Sequence, residues 1–225
     1  MRDRGIRRLV FSSTCATYGI PQRVPITEDL PQSPINPYGH TKLAMEWALR
    51  DCAAAWGLGS RALRYFNASG AAADGSIGED HDPEIHLIPL VLKTALKQRD
   101  HISIFGTDYP TPDGTCVRDY IHVEDLAEAH LLALESLNEG SFDAFNVGTG
   151  RGTSVRAIID AARTVTGCEI PIVATGRRPG DPPQLYADPT KIRQTLNWSP
   201  QYTDITAIIE TAWRWHRTHP QGFAE

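Results

Sequence analysis

Residues 6–14 read IRRLVFSST, and residues 62–66 read ALRYF. Each run is short, contains an apolar stretch and lacks a helical period, so each predicts a buried strand. The hydroxyl residues after Phe11 are expected to lead out of the first strand into a loop. Between the two runs, Asn36-Pro37 is typical of an N-cap and a first helical residue, and Gly57 ends a predicted helix over 37–56. Strand, helix and strand in this order predict a βαβ unit with a parallel sheet, which is an α/β fold.

The rest of the chain continues this alternation of helices and strands. Apolar periodicity predicts further helices at residues 87–98, 123–137, 155–165 and 205–216. Short apolar runs predict further strands at residues 102–105 and 145–148. Two segments are expected to be loops: residues 19–37, which contain five prolines, and residues 68–82, which are rich in Gly, Ala and Asp.

Composition excludes several classes of protein. The chain has 225 residues and a net charge of −5, and its 22 Lys and Arg residues are scattered, so we expect no nucleic-acid partner. No run of 18 apolar residues occurs, so no membrane span is expected. The four cysteines form no C-x-x-C pair and none lies near a histidine at ligand spacing, so we expect free thiols, no metal site and a reducing, cytoplasmic location.

A candidate acid–base site lies at the start of the first predicted helix. Tyr38 and Lys42 are four residues apart, so they share one helix face. The ordinary pKa of tyrosine is about 10, and a neighbouring ammonium would favour the phenolate. Thr14 stands at the carboxyl end of the first predicted strand, where open α/β sheets bind ligands. Its hydroxyl could share a hydrogen bond with the oxygen that Tyr38 deprotonates.

Several motifs together carry a resemblance to a known family. They are F-S-S-T-x-x-x-Y-G from Phe11, P-Y-G-x-T-K from Pro37, R-Y-F-N from Arg64, F-G-T-D-Y-P-T from Phe105, D-G-T from Asp113, V-R-D-Y-I-H-V from Val117, D-L-A from Asp125, R-P-G-D from Arg178 and H-P-Q-G from His219. The combination resembles the extended short-chain dehydrogenase/reductases, and within them the NAD-dependent 4-epimerases of UDP-hexoses. The resemblance extends over essentially the whole chain.

The resemblance implies a fold and a division into domains. It implies the C-terminal part of a Rossmann-type parallel sheet, with a smaller mixed α/β substrate domain. The NAD-binding part would comprise residues 1–66 and 118–148, and the substrate part residues 67–117 and 149–225. Members of this family begin with a G-x-x-G-x-x-G turn that holds the NAD pyrophosphate at a helix N-terminus. This sequence contains no such turn, so we expect an N-terminally truncated form.

The resemblance also implies roles for individual residues. Tyr38, Lys42 and Thr14 would be catalytic, and Tyr38, Lys42 and Phe66 would contact the NAD cofactor. The residues implied to bind the UDP-sugar are Thr14, Asn67, His86, Leu87, Ser103, Ile104, Phe105, Arg118, Arg178, Asp181 and Leu185. The full-length protein would be a homodimer.

The implied reaction is the interconversion of UDP-glucose and UDP-galactose through transient oxidation at C4. Three alternatives stay open. Leu185 leaves the width of the sugar pocket undecided, so the substrate could be a UDP-N-acetylhexosamine or a UDP-pentose. Without a glycine-rich turn, the chain could be an inactive sugar-nucleotide-binding fragment. A 4,6-dehydratase is disfavoured, because elimination would need acidic residues after Thr14, where Cys15-Ala16 stand.

Overall fold

The computed structural model describes residues 1–223, and these residues form two compact units. The first unit comprises Met1–Phe66, Asp125–Gly150 and Leu185–Pro200, and the second comprises Asn67–Glu124, Arg151–Gln184 and the described residues from 201 to 223. The division expected from the resemblance placed residues 118–124 in the first part and residues 185–200 in the second. The compact units group residues 118–124 with the second unit and residues 149–150 and 185–200 with the first, and the division into an NAD-binding and a substrate-binding part stays a prediction.

Helices and strands alternate through most of the chain, which confirms the α/β class. The α-helices of the described residues are α1 (Pro37–Trp56), α2 (Leu87–Ala95), α3 (Val123–Glu135), α4 (Val155–Thr166), α5 (Thr190–Leu196) and α6 (Ile205–Thr218). The strands are β1 (Arg8–Thr14), β2 (Gly59–Tyr65), β3 (Asn67–Ser69), β4 (Ile102–Phe105), β5 (Val117–Arg118), β6 (Tyr120–His122), β7 (Phe142–Val147), β8 (Thr153–Ser154), β9 (Ile172–Thr175) and β10 (Gln184–Leu185). Two short 3₁₀ helices occupy Arg2–Arg4 and Cys15–Tyr18.

The first unit is built on a three-stranded parallel sheet in the order β1–β2–β7. Thr14 pairs with Tyr65, and Tyr65 pairs with Val147, so the three strands end at one edge. The sequence predicts that Ser12–Thr14 lead out of the first strand, and in the structure they are its last three residues. Because β2 continues to Tyr65, Ser12–Thr14 stay in register with it, and the strand includes the three hydroxyl residues.

Helix α1 has the bounds that the sequence predicts, and its capping explains why. The Asn36 side chain accepts a hydrogen bond of 2.8 Å from the Gly39 N–H, and Pro37 fills the first helical position, where no N–H is needed. At the other end, Gly57 adopts the left-handed conformation with φ 77° and closes the helix.

The second unit packs helices α2, α4 and α6 around one apolar core. Its small sheets pair β3 with β6 and β4 with β9 in parallel, and β5 with β8 antiparallel. The buried core residues are Ile88, Val91, Leu92, Ala95, Ile102, Ile104, Tyr120, Ile158, Ile159, Ala162, Ile170, Ile208, Ile209 and Ala212. This core fixes the start of α2 and the strand β4, both of which supply predicted ligand-binding residues.

Boundary differences have local causes. Helix α2 ends at Ala95 rather than at residue 98, and Lys97 takes a left-handed φ of 60° that terminates a right-handed helix. The strands β3, β5, β6, β8, β9 and β10 have two to four residues each and carry too few positions for a period to be visible. Within residues 1–223, no helix combines the length and the apolar character that crossing a membrane requires.

Candidate functional site

The first unit brings Tyr38 and Thr14 together, as their predicted roles require. Tyr38 lies in the first turn of α1 and is 51% exposed, whereas Thr14 ends β1 and is buried. The Thr14 side chain accepts a hydrogen bond of 3.1 Å from the Ala16 N–H and also forms a hydrogen bond with the Tyr38 side chain. The phenol is therefore held on a buried hydroxyl while its ring stays open to a ligand.

A glycine makes this close approach possible. A Cβ atom at Gly39 would lie 2.6 Å from the Ala16 carbonyl oxygen, which is closer than real Cβ contacts allow. Any larger residue at this position would push α1 away from the 3₁₀ helix that follows Thr14. The glycine in P-Y-G-x-T-K thus has a steric reason, because it sets the distance between Tyr38 and Thr14.

Lys42 lies one turn after Tyr38 and is anchored on β1. Its Nζ donates a hydrogen bond of 2.8 Å to the Ser12 carbonyl oxygen and lies 5.1 Å from the centre of the Phe11 ring. The same Nζ is 5.6 Å from the centre of the Tyr38 ring. The ammonium is therefore close to the phenol and has a fixed position.

The pKa of Tyr38 does not shift in the direction expected from Lys42. Partial burial raises the pKa, the hydrogen bond with Thr14 lowers it, and the neighbouring Tyr65 and Cys15 raise it, with a net upward shift. Tyr38 is consequently a neutral phenol at pH 7 in this structure. Phenolate formation would need additional positive charge next to the ring.

A buried polar network lies behind this site. Glu46, two turns after Tyr38 on α1, is fully buried and accepts hydrogen bonds from Arg64 (3.0 and 2.6 Å) and from the Ser13 hydroxyl. Arg64 also donates a 2.8 Å hydrogen bond to the Tyr18 hydroxyl. Burial raises the pKa of the Glu46 carboxyl, but the hydrogen bonds and charge of Arg64 outweigh this and hold it below its usual range. The network ties α1 to the ends of β1 and β2.

Two other predicted residues of the first unit lie in an apolar cluster. Phe66 is 7% exposed and packs with Tyr18, Ile26 and Leu30, and Leu185 packs against the same cluster. Both side chains therefore contribute to a core. Their predicted contacts with the cofactor and with the sugar stay predictions.

The second unit gathers nine of the predicted ligand-binding residues around one cavity of about 330 Å³. These residues are Asn67, His86, Leu87, Ser103, Ile104, Phe105, Arg118, Arg178 and Asp181. They come from β3, α2, β4, β5 and the loop after β9, so residues more than one hundred positions apart line one cavity.

The cavity combines guanidinium groups with an aromatic ring. Arg178 lies over the Phe105 ring, with its guanidinium carbon 3.8 Å from the ring centre. Arg118 forms an ion pair with Asp181 and donates a hydrogen bond of 2.7 Å to the Val117 carbonyl oxygen. Within residues 1–223, Arg178 forms no ion pair with a carboxylate, so its charge is available to an anion. Guanidinium groups suit phosphates because they offer parallel N–H donors.

Some lining residues were missed at the sequence level. Arg99, Cys116 and Tyr120 also line the cavity. Arg99 lies in a loop and carries no motif signal. Tyr120 lies in the V-R-D-Y motif and Cys116 directly precedes it. The motif was a signal for both residues, but only its arginine, Arg118, was predicted to bind the ligand. The Cys116 thiol lies 3.7 Å from an Asp181 oxygen, and burial raises its pKa.

Tyr38 and Lys42 fit the nicotinamide end of a nicotinamide dinucleotide. The half-exposed Tyr38 ring and the fixed Lys42 ammonium could hold a ribose and the nicotinamide. The sequence holds no G-x-x-G-x-x-G turn for the pyrophosphate. Residues 148–152, GTGRG, are glycine-rich but follow β7, and Gly150 there packs on Pro189.

Comparisons with known proteins agree with the resemblance. The family model described as the NAD dependent epimerase/dehydratase family matches residues 1–148. The UDP-glucose 4-epimerase of Lacticaseibacillus casei is 54% identical over 226 residues, and the match covers 100% of this chain and 68% of that protein. A crystal structure of a UDP-glucose 4-epimerase superposes with a TM-score of 0.95 at 49% identity, covering 99% of this chain and 68% of the other. The Bifidobacterium longum UDP-glucose 4-epimerase, solved with NAD⁺ and UDP, gives a TM-score of 0.94 at 38% identity, covering 99% and 67%.

Proposed function

Because the chain belongs to the NAD-dependent epimerase/dehydratase family, we propose that it interconverts UDP-glucose and UDP-galactose with NAD as a resident cofactor. The single observation that carries the proposal is the pair formed by Tyr38 and Thr14 beside Lys42. A half-exposed phenol on a buried hydroxyl, next to a fixed ammonium, suits proton transfer at a sugar hydroxyl. Whole-chain similarity to UDP-glucose 4-epimerases supports the choice of substrate.

In this proposal Tyr38 is the general base and then the general acid. Its phenolate takes the proton from the C4 hydroxyl, and Thr14 shares a hydrogen bond with the same oxygen. After the 4-keto sugar turns over, the opposite face of C4 would receive the hydride, and Tyr38 returns the proton to the C4 oxygen. NAD, when bound, supplies the reversible acceptance of the C4 hydride, so the net redox change is zero. Its positive charge would add to that of Lys42 beside the phenol, whose pKa partial burial raises in this structure.

The cavity of the second unit is assigned to the nucleotide part of the substrate. Arg178 and Arg118 would bind the diphosphate, Asn67 and Asp181 would add polar contacts, and Ser103, Ile104 and Phe105 would line the uracil pocket. His86 and Leu87 would border the sugar phosphate. The available charge of Arg178 and the aromatic ring of Phe105 support this assignment.

We further infer a homodimer and a cytoplasmic location. Large apolar side chains are exposed on two helices of the first unit: Met45 and Trp47 on α1, and Leu131 and Leu134 on α3. Exposed apolar groups of this kind favour association. All four cysteines are free, as in proteins of a reducing compartment.

The experiment that tests the proposal is an epimerase assay on the 225-residue chain with added NAD⁺. UDP-galactose is supplied, and UDP-glucose is measured by NMR, with UDP-N-acetylgalactosamine and a UDP-pentose in parallel. Conversion of UDP-galactose at a higher rate than the other two supports the proposal. A higher rate on either of the other sugars assigns the substrate to that class instead.

One alternative keeps an observation in its favour. The sequence has no glycine-rich pyrophosphate turn, whereas the predicted nucleotide residues line one cavity within the second unit. A chain that binds UDP-sugars without turnover would show UDP affinity in calorimetry but neither NAD⁺ affinity nor conversion of any sugar. That result would replace the epimerase proposal with a sugar-nucleotide-binding function.

A further inference from the structure

A loop of the second unit, residues 79–86, gathers two histidines and two glutamates. One ligand atom each of His81, Glu84 and His86 lies within 4.8 Å of the others. His86 Nδ1 is 2.6 Å from a Glu79 oxygen and 3.0 Å from a Glu84 oxygen. The rings of His81 and His86 meet edge to face, with centroids 5.3 Å apart. Three donors that metals prefer therefore converge from six consecutive residues.

The surroundings of this loop are rich in negative charge. A cavity of about 640 Å³ is lined by Glu79, Asp80, Asp82 and Glu84, with Lys93 and Arg99 as its cationic side chains. Two positive groups thus face four carboxylates. A divalent cation on the loop would offset this excess.

A second, independent observation points to a ligand. The Glu84 side chain is 3% exposed, and its Oε1 accepts hydrogen bonds of 2.7 Å from the N–H groups of Ile85 and His86. Its other oxygen, Oε2, is buried and has no hydrogen-bond partner within residues 1–223. The Nε2 atom of His216 is also buried without a hydrogen-bond partner within residues 1–223. His216 is 5% exposed and lines the same cavity. Buried polar atoms are nearly always paired, so such atoms mark a place for a bound ion or water.

We propose that His81, Glu84 and His86 bind a zinc ion. Two imidazoles and one carboxylate form a donor set that Zn²⁺ uses, and three protein ligands leave a fourth position open. Glu79, whose carboxylate lies against the His86 ring, would orient this ligand from outside. The proposal is independent of the proposed catalytic function.

The site would have a consequence for the neighbouring cavity. His86 also lines the cavity of about 330 Å³ that contains Arg118 and Arg178. Metal binding would fix the His86 ring and the start of α2, where Leu87 follows. Zinc is therefore expected to tighten UDP binding, and UDP to tighten zinc binding by the same factor.

The test uses the full 225-residue chain, freed of metal by chelation and titrated with Zn²⁺ in a calorimeter. The wild type is expected to bind one equivalent, and His81→Ala and Glu84→Gln to bind at least about tenfold more weakly, because each removes a ligand. The matched controls His101→Ala and Glu169→Gln change exposed residues of the same unit and should bind like wild type. Co²⁺ as a probe should give visible bands of a nitrogen- and oxygen-ligated ion.

Three results would overturn the proposal. The wild type could take up no stoichiometric zinc, the two site variants could bind zinc as tightly as the controls, or Co²⁺ could show a thiolate charge-transfer band that assigns the ion to a cysteine. If circular dichroism shows that a site variant does not fold, the site is tested instead by NMR of the wild-type protein with bound Co²⁺. Bound Co²⁺ should then broaden or shift the ring NMR signals of His81 and His86, and signals left unchanged would refute the site.

Discussion

The proposed acid–base site of the first unit and the cavity of the second differ in how far apart their residues lie in sequence. Thr14, Tyr38 and Lys42 fall within 29 positions of one βαβ unit. The lining of the cavity runs from Asn67 to Asp181. The first arrangement follows from one helix, one strand end and one glycine. The second depends on the core that holds α2, α4 and α6 together. Its geometry is therefore more sensitive to substitutions far from the site.

The two regions also differ in electrostatic support. Behind Tyr38 lies a closed network in which the buried Glu46 carboxylate is satisfied by Arg64 and Ser13. The cavity instead presents Arg178 without a carboxylate partner among residues 1–223. The first unit thus holds its buried charges in a paired, fixed geometry, and the second is proposed to receive an anion.

The sharpest test of this contrast is Tyr38→Phe. Removing the phenolic hydroxyl should lower the epimerase rate by about 10²- to 10⁴-fold, the usual contribution of a positioned acid–base group. UDP affinity should not change, because the residues proposed to bind the nucleotide lie in the other unit. The rate is measured by NMR and the affinity by calorimetry, with Tyr202→Phe as the control. A parallel loss of UDP affinity would show that the two regions are not separable.

The next effect in size is expected from Glu46→Ala. Truncation leaves the Arg64 guanidinium buried without its partner, which typically costs about 3–5 kcal/mol of unfolding free energy. Urea denaturation followed by circular dichroism measures the change, and Glu128→Ala, an exposed position on α3, should stay within about 0.5 kcal/mol of wild type. A small change at Glu46 would mean that the network contributes little to the first unit.

A smaller effect is expected from Arg178→Ala. Loss of one guanidinium contact to a phosphate should weaken UDP binding by about tenfold to a hundredfold, since hydrogen bonds to charged groups contribute about 1.5–3 kcal/mol. The control Arg217→Ala removes an exposed arginine of α6 and should bind UDP normally. Unchanged affinity in Arg178→Ala, measured by calorimetry, would remove the anion-binding interpretation of the cavity.

The smallest expected effect is the pH dependence of the unfolding free energy that Glu46 contributes to the first unit. The folded-state pKa of Glu46 lies below its unfolded value of about 4.3, so the unfolded chain binds the proton first as pH falls. The stabilising contribution is therefore fully present above about pH 4.3 and is lost as pH falls through the folded pKa. The stability difference between wild type and Glu46→Gln should shrink between about pH 5 and about pH 3. A difference that stays constant over this range, in urea titrations, would contradict the assigned pKa direction.

Much of the fold could be read from sequence where local rules act alone. The bounds of α1 follow from Asn36, Pro37 and Gly57, each of which satisfies or removes specific backbone groups. The two-residue strands β5, β8 and β10 could not be predicted, because pairing partners distant in sequence decide them. The upward shift of the Tyr38 pKa in this structure could not be predicted, because burial depends on the packed environment of the ring.

The cluster at His81, Glu84 and His86 shows the same limit for a site. The sequence contains the spacing H-x-x-E-x-H, but its cysteines show no ligand spacing and led to the expectation of no metal. What the structure adds is that the three donors face one another and that Glu84 Oε2 is buried without a partner within residues 1–223.

By itself, the sequence determined the α/β class, the βαβ unit and the pairing of a tyrosine with a lysine on one helix face, because these depend on residues within a few turns or one strand of each other. Only the tertiary structure decided that nine separated residues line one cavity, that Phe66 and Leu185 pack in a core, and that Tyr38 is a neutral phenol. The physical reason is that burial and charge proximity are properties of the packed chain, and residues far apart in sequence determine both.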